Sequence, residues 1–340
     1  MKKMATVLLI FICLTGCSSN DENELNVLNW SSYIPDSVIR DFEEEYEIDV
    51  NYSTYSSNEE LLAKVSSAKE GTYDLIFPSD YMVEIMIERG MLEPLDKTKL
   101  TNIGNIKEEY LNQSYDRLNF YSLPFFAATA LIAYNTEMID EEITSYNDLL
   151  NPAYKGEIVL LDDQRIVIGL SLLALGYDMN ETDVNKLNEA RDWLTKLTEN
   201  VKIFDSDSPK SFLITKEVGI GVIWNAEIAL AMQENPNIKV IYPEEGFALS
   251  IDNYAILKGA RHTDNAYLFI DYLLRGDVMA KIISDYPYYN VNKETEFYLD
   301  STYLNNIATN ITPELLDRGI LVRNIGSSIK DYDKIWAYIK

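Results

Sequence analysis

The sequence predicts an α/β protein of two lobes facing a cleft, with mostly parallel sheets and helices on both faces. Three observations carry this. Strand-like and helix-like segments alternate from residue 25 to about residue 90, a βαβαβα order whose crossover helices imply parallel neighbours. A second alternating series of similar size starts near residue 127. No Gly/Ser-rich linker, low-complexity tract or internal repeat separates them, so short crossing strands are expected to join the two units.

The first series begins with "LNVLNW" as a short strand. The "PDSVIRDFEEEY" stretch follows as a helix, with Val38, Ile39, Phe42 and Tyr46 on one face. "IDVNYSTY" alternates as a strand, and "NEELLAKVSSAKEG" reads as a helix capped by Asn58 and Gly71. "YDLIFPS" is a third, mostly apolar strand, followed by the helix "DYMVEIMIERG". In the second series "AATALIAYN", "GEIVLLDD", "VKIFDSD", "GIGVIWN", "IKVIYP" and "ALSIDNYAIL" are strand-like. "IVIGLSLLALG" and the amphipathic stretch 183–200 are helices, and two more are expected near 264–275 and 277–285.

Residues 1–16 read as an export leader outside the fold. Lys2 and Lys3 precede the apolar run "MATVLLIFICLTG", which is too short to span a bilayer. The run ends in "LTGC", which resembles the lipobox of bacterial lipoproteins. That resemblance implies a diacylated Cys17 at the head of a polar tether, residues 17–24. Cys13 leaves with the leader, so no thiol remains for a disulfide or a metal. The protein is expected to be exported, in the periplasmic space or on the outer face of the cell membrane, touching the membrane only through its lipid.

The 340 residues carry 55 acidic and 29 basic side chains, a formal charge of −26. Nucleic acid and anionic headgroups are poor partners for that surface, whereas a cationic ligand is favoured. The single histidine, His262, sits in "KGARHTDN", which reads as an exposed turn. With no second histidine and no mature thiol, Ser-His and Cys-His nucleophiles and zinc clusters are excluded. There is no Walker loop and no Gly-rich dinucleotide fingerprint after the first strand, and no cofactor is expected. Composition leaves open a surface-anchored hydrolase using a carboxylate pair.

In open parallel sheets, ligands sit beyond the carboxyl ends of strands. That rule selects "NWSSY", "PSDY", "LDDQR", "IWNAE" and "SIDNY". A primary ammonium offers three donors and a full charge, so its site needs carboxylates, hydroxyls and aromatic faces. The selected segments supply Asp163, Glu227 and Asp252; Ser31 and Ser79; and Trp30, Tyr33, Tyr81 and Trp224.

These same stretches, with "VNYSTYSSNEELLAKV", "YNDLLNPAYKGEIVLLDD" and "YLFIDYLLRGDV", resemble the spermidine/putrescine-binding proteins of bacterial ABC importers. The resemblance runs from about residue 25 to the C-terminus. It implies a two-lobed, type II periplasmic-binding fold, a polyamine in the cleft, delivery to ABC permease subunits, and a monomer. The expected lobes are 25–126 with 251–295, and 127–250 with 296–340. By the same resemblance Trp30, Ser31, Tyr33, Ser79, Tyr81, Asp163, Trp224 and Asp252 are expected ligand contacts, joined by Tyr286 as an aromatic contact and Glu227 as a further acid. Three positions depart from the pattern: Ile166 stands in place of a second acid, Ser250 in place of a Trp, and Arg323 near a usual Gln. They weaken the expectation of spermidine and leave a diamine or polyamine. A second reading keeps the fold and takes ferric iron, with the adjacent Tyr288 and Tyr289 as phenolate donors, or another small solute.

Overall fold

The computed structural model describes residues 21–31 and 33–340. The expected leader, Cys17 and Ser32 lie outside the described residues.

Strand β1 (Glu24–Trp30) leads through Pro35 into helix α1 (Asp36–Tyr46), which turns Val38, Ile39 and Phe42 inward and ends at Glu47 in the left-handed region. Strand β2 (Asp49–Tyr55) precedes α2 (Asn58–Ser67). Ser57, not Asn58, caps α2: its hydroxyl accepts the Glu60 N–H at 3.1 Å. The helix ends at Ser67, short of Gly71, because Ala68 leaves it in an extended conformation. Strand β3 (Leu75–Ile76) and α3 (Asp80–Glu88) close the first series. The fully buried β4 (Ser122–Asn135) then carries the chain into the second.

There the order is β5 (Ile158–Leu160), α4 (Gln164–Ala174), α5 (Val184–Thr198), β6 (Val201–Phe204), α6 (Lys210–Ile214), β7 (Ile220–Trp224), α7 (Asn225–Glu234) and β8 (Ile238–Ile241). Strand β9 (Phe247–Ile256) returns to the first half, followed by α8 (Thr263–Leu273), α9 (Gly276–Asp285) and β10 (Tyr289–Asn290). The C-terminal part adds α10 (Ser301–Asn305), α11 (Pro313–Leu316), β11 (Gly319–Leu321) and α12 (Ile329–Ile339).

The strand order β2-β1-β3-β9-β4-β7-β5-β6 joins two half-sheets through β4 and β9. Residues 122–129 of β4 pair with β9, and residues 130–135 pair with β7 and β8. The sheet is mixed, not mostly parallel. Parallel pairing holds β1 to β2 and β3, β5 to β6 and β7, and β9 to β11; β4 pairs antiparallel with all its partners, and β3 pairs antiparallel with β9. The cause is topological: the chain leaves the first half on β4 and comes back on β9, so the two must run in opposite directions. One apolar cluster fills the space between α1, α8, α9 and the first half-sheet, and a larger one runs through the second half and continues under α2 and α3 of the first. Among the described residues no helix is long and apolar enough to cross a membrane.

His262 is not in an exposed turn. It is buried, with Nδ1 2.8 Å from Asp74 Oδ2. Asp74 also accepts the Arg261 and His262 N–H groups, which pins the start of α8 to the turn before β3.

Candidate functional site

Two connected chambers open between the halves of the sheet. The inner one, about 70 Å³, is lined by Asn58, Ser79, Tyr81, Ile166, Ser250 and Asp252 among others. The outer one, about 320 Å³, adds Ser31, Tyr55, Glu59, Asp162 and Asp207. Trp30, Tyr33, Asp163, Arg165, Trp224 and Tyr288 line both, so they form the neck between them.

Asp252 sits at the floor of the inner chamber, 6% exposed. It lies inside β9, not at a strand end, and reaches the cleft because β9 crosses between the halves. The Tyr33 hydroxyl donates to its Oδ2, and the Ser79 hydroxyl donates to its Oδ1 at 2.5 Å. Asn58 holds Ser79 in turn, donating to Oγ at 3.0 Å and accepting the Ser79 N–H at 3.2 Å. Burial pushes the Asp252 carboxyl up to about 6, against the lowering effect of the two hydroxyls. Burial and the Asp252 charge raise the Tyr33 phenol, so it remains a donor.

Asp163 is the N-cap of α4. Its Oδ1 accepts the N–H groups of Arg165 at 2.9 Å and Ile166 at 3.0 Å. Burial raises this carboxyl to about 6 as well; the cap bonds and Arg165 pull it down, and nearby Glu59 pushes it up. Since the cap uses one oxygen, the other remains available at the neck.

The aromatic walls are fixed from behind. Trp30 Nε1 and the Tyr55 hydroxyl both donate to the Phe77 carbonyl, at 2.9 and 2.6 Å, with the rings 4.7 Å apart. Tyr33 packs on Tyr288 at 5.2 Å. Trp224 stands at the cap position of α7, and the Tyr81 hydroxyl donates to Glu59 at 3.1 Å. Ser31 lines the outer chamber, its N–H bonded to the Tyr55 carbonyl. The arrangement is a buried carboxylate with hydroxyls beside it, a passage between indole and phenol faces, and further acids beyond. It matches a primary ammonium followed by methylenes.

Eight of the ten residues singled out from the sequence thus meet around one cleft, and two do not. Glu227 lines neither chamber: Lys210 Nζ holds both its oxygens, at 2.9 and 2.8 Å. Tyr286 also lines neither chamber and packs half-buried on the first-half core; Tyr288, two residues on, takes the cleft position. Tyr289 faces elsewhere, bonded to Thr129 and Tyr242 at 2.9 Å each, so the adjacent tyrosines do not converge on one ion. Among the described residues no cluster of His, Cys, Asp and Glu could hold a metal ion. Arg323 is exposed and lines neither chamber. Sequence reasoning missed Arg165 and Asn58, although each occupies the first turn of a helix that starts at the cleft.

A family profile described as bacterial extracellular solute-binding protein matches residues 37–301. The chain is 34% identical to the spermidine/putrescine-binding periplasmic protein of Escherichia coli K12, across 100% of this chain and 99% of that one. Among solved structures it is similar to the spermidine/putrescine ABC transporter substrate-binding protein of Streptococcus pneumoniae, with a TM-score of 0.81, 32% identity, and coverage of 93% and 98% of the two chains. It is also similar to a lipoprotein of Treponema pallidum, with a TM-score of 0.85, 27% identity, and coverage of 93% and 99%.

Proposed function

This chain belongs to the bacterial extracellular solute-binding proteins, and on that premise we propose that it captures a polyamine of the putrescine/spermidine class and delivers it to an ABC permease. One observation carries the choice of ligand: a carboxylate, Asp252, buried with two hydroxyl donors at the end of a passage walled by Trp30, Tyr33, Trp224 and Tyr288. A buried acid with no cation of its own has reason to receive an ammonium. The names of the relatives point the same way. The family is one of solute binders, which favours capture over turnover.

The proposed contacts are Trp30, Ser31, Tyr33, Ser79, Tyr81, Asp163, Trp224 and Asp252, with Tyr288 in the place expected of Tyr286. Glu227 enters this set only on release by Lys210. The proposed lobes are 25–126 with 251–295, and 127–250 with 296–340; the change of partners along β4 supports that division. Amine binding would draw the lobes together, and the closed monomer would engage the permease. We further propose a lipid anchor at Cys17, supported by the lipobox and by the lipoprotein among the solved relatives. Cys17→Ser should shed the protein from the cell, read by immunoblotting membrane and soluble fractions.

The test of function is a thermal-shift panel of putrescine, cadaverine, spermidine and spermine, with ferric iron and simple sugars as controls. A ligand bound only by the folded state raises the transition, by about 2.7 kcal/mol of stability at a hundredfold excess over Kd. Shifts with amines alone are expected, and no shift with any amine would sink the reading.

A further inference from the structure

Behind the cleft, on the opposite face of β10, lies a separate cavity of about 250 Å³. Successive strand residues face opposite ways, so Tyr288 walls the neck while Tyr289 walls this cavity. The Tyr303 hydroxyl ties the two sides together: it donates to the Tyr288 carbonyl at 2.6 Å and accepts the Asn290 N–H at 3.0 Å. A few residues on, Tyr242 donates to the Ile307 carbonyl at 2.7 Å, and Asn225 donates to the Ala308 carbonyl at 3.0 Å. Residues 303–308 therefore make a further crossing between the halves, beside β4. The lining also comes from both: Lys107 and Tyr110 belong to the first proposed lobe, and Ile311, Leu316 and Asp317 to the second.

The lining suits a cation with an apolar body. Leu299, Leu304, Ile311 and Leu316 supply apolar wall. At the rim three acids, Glu109, Glu296 and Asp317, face one base, Lys107, which pairs with Glu296 at 2.7 Å. Glu109 and Asp317 are exposed and have no paired cation among the described residues. Tyr110 adds an independent sign. It is 5% exposed, yet its hydroxyl makes no hydrogen bond among the described residues. Burial first, and then the Glu109 charge, raise this phenol, so it stays a neutral donor and acceptor. Burial and then Tyr110 raise the Tyr303 phenol, so the two hydroxyls lie near one another at the cavity both residues line. An ammonium at the rim would meet Glu109 and Asp317, and its N–H groups could donate to Tyr110.

The position of the cavity gives an occupant leverage. In the structure the proposed lobes are drawn together, with Asn324 bonded to Glu84 and Tyr81 under Arg165. The crossings lie between the cleft and the cavity, so hinging about them moves the two in opposite senses: as the cleft opens, the cavity closes. We propose that this hinge-side cavity binds a second small organic cation, a protonated monoamine with an apolar body, and that the occupant wedges the lobes in their closed arrangement. The cavity stands apart from the amine-capture reading; its effect on the cleft rests on that reading.

Calorimetry on the full-length protein tests the site with 2-phenylethylamine, added in the presence of saturating 1,4-diaminobutane so that the cleft is already filled. A further binding event should appear, with a Kd of about 1 mM or tighter. Glu109→Gln combined with Asp317→Asn, both at exposed positions, should weaken it about tenfold, the scale of the lost charge-assisted contacts. Ile311→Trp, which fills the cavity, should abolish it; should that variant fail to fold, the double variant decides alone. In stopped-flow mixing, 2-phenylethylamine should slow the release of 1,4-diaminobutane about fivefold, an effect that competition at the cleft cannot produce. No binding of 2-phenylethylamine to the saturated protein, or binding that these variants leave unchanged, overturns the site. Binding with an unchanged release rate overturns the wedge. If 1,4-diaminobutane itself fails to bind, amine capture falls, while binding of 2-phenylethylamine that depends on Glu109 and Asp317 would still support the cavity.

Discussion

A carboxylate taken out of water is costly unless its charge is met, and the two hydroxyls on Asp252 meet it only in part, because its pKa remains raised to about 6. In the proposed site an arriving ammonium would supply the missing charge, so Asp252→Asn should weaken amine binding at least about tenfold by calorimetry, the scale of one charge-assisted hydrogen bond. The pH dependence follows with a definite sign. The amine needs the ionised acid, so affinity should fall about tenfold per acid between pH 7.5 and 5 as Asp252 and Asp163 protonate near 6. A flat affinity over that range would remove both acids from the site. Stability of the free protein moves the other way. A raised carboxyl binds its proton more tightly folded than unfolded, so Asp252 weakens the fold as pH rises through the interval between the unfolded and folded values. Relative to Asp252→Asn, the unliganded wild type should gain about 1 kcal/mol on going from pH 7.5 to 5, measured by denaturant unfolding. At this scale the sequence was informative where chemistry switched abruptly along the chain, as at Trp30, Ser79, Asp163 and Trp224. It was silent on Arg165, whose role depends on Tyr81 and Tyr332 lying on either side of it, and those contacts come from distant segments.

Helix α4 shows how one element serves fold and site together. Asp163 caps it, and the same first turn delivers Arg165 and Ile166 to the neck. The two duties of Asp163 can be separated. Asp163→Ser keeps an N-cap acceptor and should be about 1 kcal/mol more stable than Asp163→Ala, which loses the buried charge equally but leaves the helix uncapped. Both remove the charge and should weaken amine binding alike. Equal stability of the two variants would mean the cap contributes nothing. Elements with a clear periodicity, such as α1, α5 and α8, were readable from the sequence to within a few residues. Strand β10 was not, since two residues carry no period, yet its start decides that Tyr288 and not Tyr286 reaches the cleft. Helices α7 and α12 also went unread; α7 is largely wrapped in neighbours, so apolar side chains face several ways around it.

Over the whole molecule, two α/β halves were legible because each repeats a pattern that needs its own layers of helix. The antiparallel crossing was not, because the direction of β4 and β9 is set by the route of the chain and not by local composition. That route matters for closure. With β4 and β9 on one side of the cleft, the proposed lobes can hinge there, and the contacts that hold them shut must form elsewhere. Contacts between the proposed lobes lie at α3, on the first. Glu84 accepts the Asn324 N–H at 3.2 Å, Glu88 accepts the Asn324 side-chain amide at 3.2 Å, and Tyr81 lies under Arg165 from the second lobe. Neither Glu84 nor Glu88 lines the cleft, so removing them should leave the proposed amine site intact. The double variant Glu84→Ala with Glu88→Ala should loosen the closed form by two modest hydrogen bonds, raising the amine dissociation rate about three- to tenfold. Its association rate should change little, because encounter occurs with the open form. Stopped-flow mixing that follows the fluorescence of Trp30 and Trp224 would read both rates, and an unchanged dissociation rate would show that α3 and Asn324 do not govern release.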